Sequence, residues 1–203
     1  MKRCALDLRL IVGLLMAHLL ILLTFQTTVV FWYLFTASML FLISYSTFRD
    51  ELDKEAPFFY ALIIGLISGV ILFAVFWVGN ALIHWLHLPL QSQIETLYDT
   101  YSPKVAWHYI VLVLIIIPGE EIFWRGFVQR RLSKYLNFPT TVILSVLLYT
   151  SVQFYSGTLI LPLAAMISGI LWSMLYTWKK SVPLVIVSHL IFDLLLFILF
   201  PFY

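Results

Sequence analysis

Polar and apolar positions along this chain alternate on the scale of whole bilayer crossings rather than of helix turns. Residues 10–48 contain no Asp, Glu, Lys or Arg, which is long enough for two crossings with a tight turn near Thr24–Thr28. Further apolar stretches are Phe58–Trp85, Trp107–Phe127, Pro139–Tyr155, Thr158–Trp178 and Val182–Phe202. Each approaches the roughly 20 residues that span a hydrocarbon core of about 30 Å. The pattern predicts an all-α, polytopic membrane bundle of about seven helices. One integral domain, 1–203, is expected, with N-terminal helices in 1–105 and the chemistry-bearing core in 106–203. Between spans three and four, Leu90–Lys104 reads as a polar linker, with Pro103 opening the next helix. Residues 49–56 read as a short charged loop, and Pro57 fits the first turn of helix three.

Composition agrees with this class. Hydrophobic residues make up 63% of the 203 and charged residues 11%, with a mean hydropathy of +1.01. About a quarter of a soluble domain would be charged. The net charge of +2 is too small to suggest a nucleic-acid partner. The single cysteine, Cys4, excludes an intrachain disulfide. The first span has a basic start in Lys2 and Arg3, but its apolar run is too long for a cleaved signal and lacks a small-residue cleavage pattern. It reads as a retained anchor.

Basic residues fix an expected orientation. Lys2, Arg3 and Arg9 precede the first span, Arg49 and Lys54 follow the second, Arg130, Arg131 and Lys134 follow the fourth, and Lys179 and Lys180 follow the sixth. Seven alternating crossings place all of them on one side, which the positive-inside rule makes cytoplasmic. The N-terminus would share that side. No internal repeat is visible, which weighs against a transporter built from repeated halves.

Against this background a few polar residues sit at bilayer depth, where a charge costs a few kcal/mol and usually marks a site. Glu120, Glu121 and Arg125 lie in Pro-Gly-Glu-Glu-Ile-Phe-Trp-Arg, and His189 and Asp193 in Ser-His-Leu-Ile-Phe-Asp. Helical spacing of four pairs Glu121 with Arg125 and His189 with Asp193. Glu120 points about 100° away, toward Trp124 and Phe127, without an intrahelical partner. The division this suggests is a structural Glu121–Arg125 pair and a chemically free Glu120. At about 1.5 Å per residue, Glu120 stands roughly 15 Å above Arg130, His189 roughly 13 Å above Lys180 and Gln153 roughly 20 Å above Pro139. Three helices thus carry polar groups to similar depth, and that depth suggests approach from the cytoplasmic side or laterally from lipid. Pro118–Gly119, just before the glutamates, predicts a kink. His18, His84, His87 and His108 read as interfacial bystanders.

Glu-Glu-x-x-x-Arg at 120–125 followed by His-x-x-x-Asp at 189–193, late in a small polytopic chain, resembles the CPBP (ABI) intramembrane proteases. That family includes CAAX prenyl endopeptidases and proteins linked to bacteriocin processing or self-immunity. The resemblance covers roughly Leu112–Phe197. Its middle motif, Phe-x-x-x-His, corresponds here to Tyr149-Thr-Ser-Val-Gln153, so a glutamine stands at the histidine position. The resemblance implies Glu120 as the base that activates water, Glu121 and Arg125 as the scaffold, and His189, oriented by Asp193, as the group that binds water, stabilises the oxyanion or protonates the leaving amine. Gln153 would then donate to an oxyanion or act as interhelical glue. The family has been described both as zinc-dependent and as glutamate-based. Glutamine is a poor zinc ligand, which favours the metal-free mechanism here. The implied partners are the lipid bilayer and a membrane-associated peptide or protein, in a bacterial plasma membrane. Two other readings stay open: a catalytically degenerate peptide-binding or bacteriocin self-immunity protein, and a proton-coupled transporter.

Overall fold

The computed structural model describes residues 7–48 and 56–202. Cys4 and the expected cytoplasmic charges Lys2, Arg3, Arg49 and Lys54 lie outside the described residues. Eight helices organise the rest: α1 (Leu8–Gln26), α2 (Phe31–Thr47), α3 (Phe58–Trp85), α4 (Gln91–Tyr101), α5 (Ala106–Leu132), α6 (Phe138–Gln153), α7 (Ile160–Lys179) and α8 (Val182–Leu199). There is no strand among the described residues. Six of these helices are long and apolar enough to cross a membrane. The seventh candidate is α5 taken with α4, from which it is bent by 102°. The protein is a multi-pass integral membrane bundle.

Local sequence sets the helix starts. Asp7 caps α1 by accepting from the Leu10 amide, Asn137 caps α6 through Thr140, and Ser181 caps α8 through Leu184. Each satisfies an amide that the first turn would otherwise leave bare. Pro57 stands at the cap of α3 rather than in its first turn.

The segment expected as a polar linker is largely a helix, and its ends differ from expectation too: α5 begins at Ala106, not at Pro103. Few apolar residues mark α4, and those it has face inward. Ile94 is buried, the Tyr98 hydroxyl donates to the Leu196 carbonyl at 2.9 Å, and Gln93 accepts from the Leu159 amide at 2.7 Å. Gln93 thereby covers the bare start of α7.

Proline at 118 does not break α5 either. Wide π turns flank it at Leu112–Ile116 and Ile122–Gln129, and the Ile117 amide bonds back to the Leu112 carbonyl. Widening the ring to i→i+5 absorbs the missing proline amide while the helix continues.

Helix α3 shows how the bundle packs without a hydrophobic driving force between helices. Its buried stripe is Ala61, Gly65, Ser68, Gly69 and Leu72, while Ile63, Ile67, Ile71 and Trp77 stay exposed to lipid. A Cβ on Gly69 would lie 2.6 Å from the Ser188 carbonyl oxygen, so only glycine admits α8 this closely. Ser68 Oγ donates to Ser188 Oγ at 2.9 Å across the same contact. Small residues and hydroxyl bonds of this kind hold membrane helices together. The aromatic side chains Phe123 and Phe127 place α5 at the centre, both with no exposed surface.

Candidate active site

Helix α5 brings two adjacent glutamates into the middle of the bundle and gives them different neighbours. Gly119 permits this, because a Cβ there would come within 2.9 Å of Met39 Cβ on α2. Glu121 is fully buried, and its Oε1 is 3.1 Å from Arg125 Nη1 and 2.8 Å from His189 Nδ1. Its second oxygen, Oε2, is buried without a hydrogen-bond partner. Glu120 Oε2 lies 3.4 Å from the Tyr149 hydroxyl and 3.9 Å from His189 Nε2. Asp193 Oδ2 approaches the same Nε2 at 3.6 Å.

The pairing of Glu121 with Arg125 is thus present as the spacing predicted. The imidazole differs. It was expected to be oriented by Asp193, one turn along α8, but its short bond goes across the bundle to Glu121. With Nδ1–H donated to that carboxylate, Nε2 is turned toward Glu120 and Asp193. Three carboxylates thus surround one imidazole, and the Arg125 guanidinium reaches the cluster through Glu121.

Two aromatic residues complete the site: Tyr149, the first position of the middle motif, and Trp172, which no motif marks in a chain with 17 Phe, 11 Tyr and 7 Trp. Trp172 of α7 stacks on His189 with ring centroids 3.9 Å apart, and its Nε1–H donates to Ser188 Oγ at 3.3 Å. The Arg125 guanidinium lies over the Tyr149 ring at 4.5 Å and over Trp172 at 5.3 Å. Such cation–π contacts add to the Glu121 pair in stabilising the buried guanidinium. Trp172 does carry a sequence signal: it continues the buried series Ala165, Ser168, Gly169, Trp172, Ser173 along one face of α7.

Glu120, Tyr149, Gln153, Trp172, His189 and Asp193 all line one cavity of about 330 Å³. Helices α5, α6 and α8 therefore do bring their polar groups to one place. Gln153 is 8% exposed and sits one helical turn beyond Tyr149. The cavity leaves the glutamates toward the α4 end of the bundle, past Asn80, Ile83, Leu97 and Tyr101. This is the end opposite Arg130 and Lys179. No group of three or more His, Cys, Asp and Glu among the described residues is placed to hold a metal ion.

Two of the other histidines, His18 and His108, make specific contacts away from the site. His18 makes contacts with the Tyr155 hydroxyl at 2.9 Å and with Ser151 Oγ at 3.3 Å, using both ring nitrogens to bind α1 to α6 and to the turn Phe154–Ser156 that follows it. His108 stacks on Trp32 and accepts from the Lys104 amide. Neither reaches the glutamates.

These motifs can be set beside known proteins. Residues 102–195 match the family model for type II CAAX prenyl endopeptidase Rce1-like proteins. The match spans all six expected site residues, from Glu120 to Asp193, and agrees with the CPBP resemblance of the motifs. The Rce1-like family is one of CAAX-type intramembrane proteases. Among the curated proteins and among the solved structures, nothing matches the chain.

Proposed function

We propose that this protein is an intramembrane endopeptidase of the Rce1-like type, hydrolysing a peptide bond in a membrane-associated substrate with water activated by Glu120. The observation that carries the reading is the unequal treatment of the two glutamates. Glu121 is committed to Arg125 and His189, whereas Glu120 faces the cavity with no cation of its own beyond the imidazole edge. A carboxylate left free at bilayer depth is costly and therefore functional by default.

In this mechanism Glu120 takes a proton from a water seated between its carboxylate and His189 Nε2. The 3.9 Å separation of those atoms suits a water placed off their axis, at about 2.8 Å from each. The resulting hydroxide attacks the scissile carbonyl carbon. The oxyanion is met by the Gln153 amide and the Tyr149 hydroxyl, donors of the neutral kind found in other oxyanion holes. Glu120 then returns the proton to the leaving nitrogen as the C–N bond breaks. Glu121, Arg125 and Trp172 hold the imidazole in place, and Asp193 adds a second carboxylate at its Nε2. Every step runs through side chains of this chain. The glutamine at 153 and the commitment of Glu121 to Arg125 leave a poor donor set for zinc, which favours a reaction that needs no metal.

The orientation we propose has Arg130, Arg131, Lys134, Lys179 and Lys180 on the cytoplasmic side of a bacterial plasma membrane, with the N-terminus. The α4 end is then the outer face.

The test is cleavage of a mixed membrane-peptide library by purified wild type, Glu120→Ala, His189→Ala and Gln153→His, with and without a chelator. Cleavage by wild type that survives chelation and is lost in the first two variants supports the reading. Absence of cleavage by wild type, with activity gained in Gln153→His, would make the protein a decayed enzyme that binds peptides, the role of an immunity protein.

A further inference from the structure

Ser188 and His189 are neighbours in sequence, yet their side chains leave α8 about 100° apart. His189 turns toward the glutamates of α5, whereas Ser188, with no exposed surface, turns toward α3 and α7. One indole touches both. The Trp172 ring stacks on the imidazole with the two planes 25° apart, and its Nε1–H donates to Ser188 Oγ at 3.3 Å. Among the described residues that N–H makes no other hydrogen bond. Ser188 Oγ is held in turn from α3, by Ser68 Oγ at 2.9 Å. Helix α3 comes this close because glycines face α8: a Cβ on Gly65 would lie 2.7 Å from Val187 Cβ, just as one on Gly69 would meet the Ser188 carbonyl. The indole is thus tied at its edge to residue 188 and at its face to residue 189. Turning α8 about its axis would break one contact or the other.

We propose that Ser188 is a positioning residue for His189. Anchored by Ser68, its hydroxyl fixes the rotation of the Trp172 indole, and the indole face sets the plane in which the imidazole gives Nδ1 to Glu121 and turns Nε2 toward Glu120. Helix α3, which carries none of the motif residues, thereby takes part in aligning the site. Plain adhesion between α3 and α8 would ask nothing of the indole. The partners of Ser188 are unequal in a way that favours alignment. Ser68 Oγ keeps the Ile64 and Gly65 carbonyls, at 2.7 and 3.0 Å, if Ser188 is lost, whereas the indole N–H is left buried without an acceptor. The indole is therefore the group that must move, and the imidazole stacked on it moves too. A reacting group displaced by about 1 Å can slow a reaction severely. The effect on rate rests on the protease reading, but the placement of the imidazole does not.

The experiment reads the imidazole and the rate separately, in full-length protein carrying isotope-labelled histidine in lipid nanodiscs. The proton that Nδ1 shares with Glu121 across 2.8 Å gives a downfield NMR resonance, identified by its loss in His189→Gln. Ser188→Ala and Trp172→Phe are each expected to shift or broaden that resonance and to lower kcat about tenfold with KM nearly unchanged. The double variant is expected to lose about tenfold in total, because both changes cut the same bond. Ser68→Ala should act in the same direction and more weakly. A resonance that both single variants leave in place, or losses that multiply in the double variant, would overturn the proposal and leave Ser188 as adhesion between helices. Trp172→Phe keeps a ring on His189 and both serine hydroxyls, so it carries the test if Ser188→Ala does not fold. Failure of the protease reading looks different: wild type cleaves no peptide, while the resonance still decides the placement of the imidazole.

Discussion

Two buried carboxylates in this bundle are treated in opposite ways. Asp7, at the end of α1, accepts both from Arg131 Nη1, at 3.0 and 2.9 Å, and from the Leu10 amide at 3.1 Å, with the Tyr135 hydroxyl at 3.4 Å. Burial pushes its carboxyl upward, but the Leu10 amide and the Arg131 guanidinium outweigh that and hold it below the ordinary value. Glu120, inside the helix bundle, has one long contact to a hydroxyl and an imidazole 3.9 Å away. A carboxylate saturated with donors is a fastener. One left under-donated keeps its oxygens open to another partner, and the difference separates structure from chemistry within one chain.

The comparison breaks most severely at Glu121, which serves both sides. Glu121→Ala strands the Arg125 guanidinium, and stability should fall by about 3–5 kcal/mol together with loss of cleavage. Thermal unfolding in detergent, read beside peptide hydrolysis, checks both. Glu120→Gln should separate the two properties, lowering cleavage by about 10²–10⁴-fold, the range for a general base, with a melting temperature close to that of wild type. A large loss of stability in this variant would make Glu120 another fastener. Asp7→Asn should do the reverse, costing about 1–3 kcal/mol through a weakened cap and ion pair while hydrolysis per folded molecule is kept. Because the folded-state value of Asp7 lies below the unfolded one, its contribution is complete above the unfolded value of 3.8 and disappears as pH falls through the folded value. The gap in melting temperature between wild type and Asp7→Asn should therefore close on acidification below pH ~4. The mildest change is Tyr149→Phe, which keeps the ring under Arg125 and removes one donor. About a tenfold loss in kcat with little change in KM is expected.

Spans were legible where composition is extreme. The apolar run Phe58–Trp85 is α3 to the residue, because lipid asks only for length and hydropathy. Helix α4 was hidden because it is rich in Gln, Ser, Thr and Tyr and owes its place to contacts with α7 and α8 that periodicity does not reveal. The same limit applies to the site. Spacing of four found the Glu121–Arg125 pair, since both residues share one helix. It named Asp193 as the partner of His189 for the same reason, while the short bond runs to Glu121 on another helix. Tyr149 was in view as the first position of the middle motif, whereas Trp172 entered the site through packing of α7 against α5 and α8, and single-helix arithmetic has no means of seeing that.

The wide turns of α5 carry a consequence for lineage. A π turn closes its hydrogen-bonded ring with one residue more than an α turn, so Leu112–Ile116 is equivalent to an α-helical turn with one residue inserted. Deleting one residue there would leave a continuous helix, yet rotate Trp107 and His108 by about 100° relative to Glu120 and undo the stack on Trp32. Alignments that forbid gaps within a membrane span would accordingly slip by one position upstream of Pro118 between chains that keep this turn and chains that have lost it.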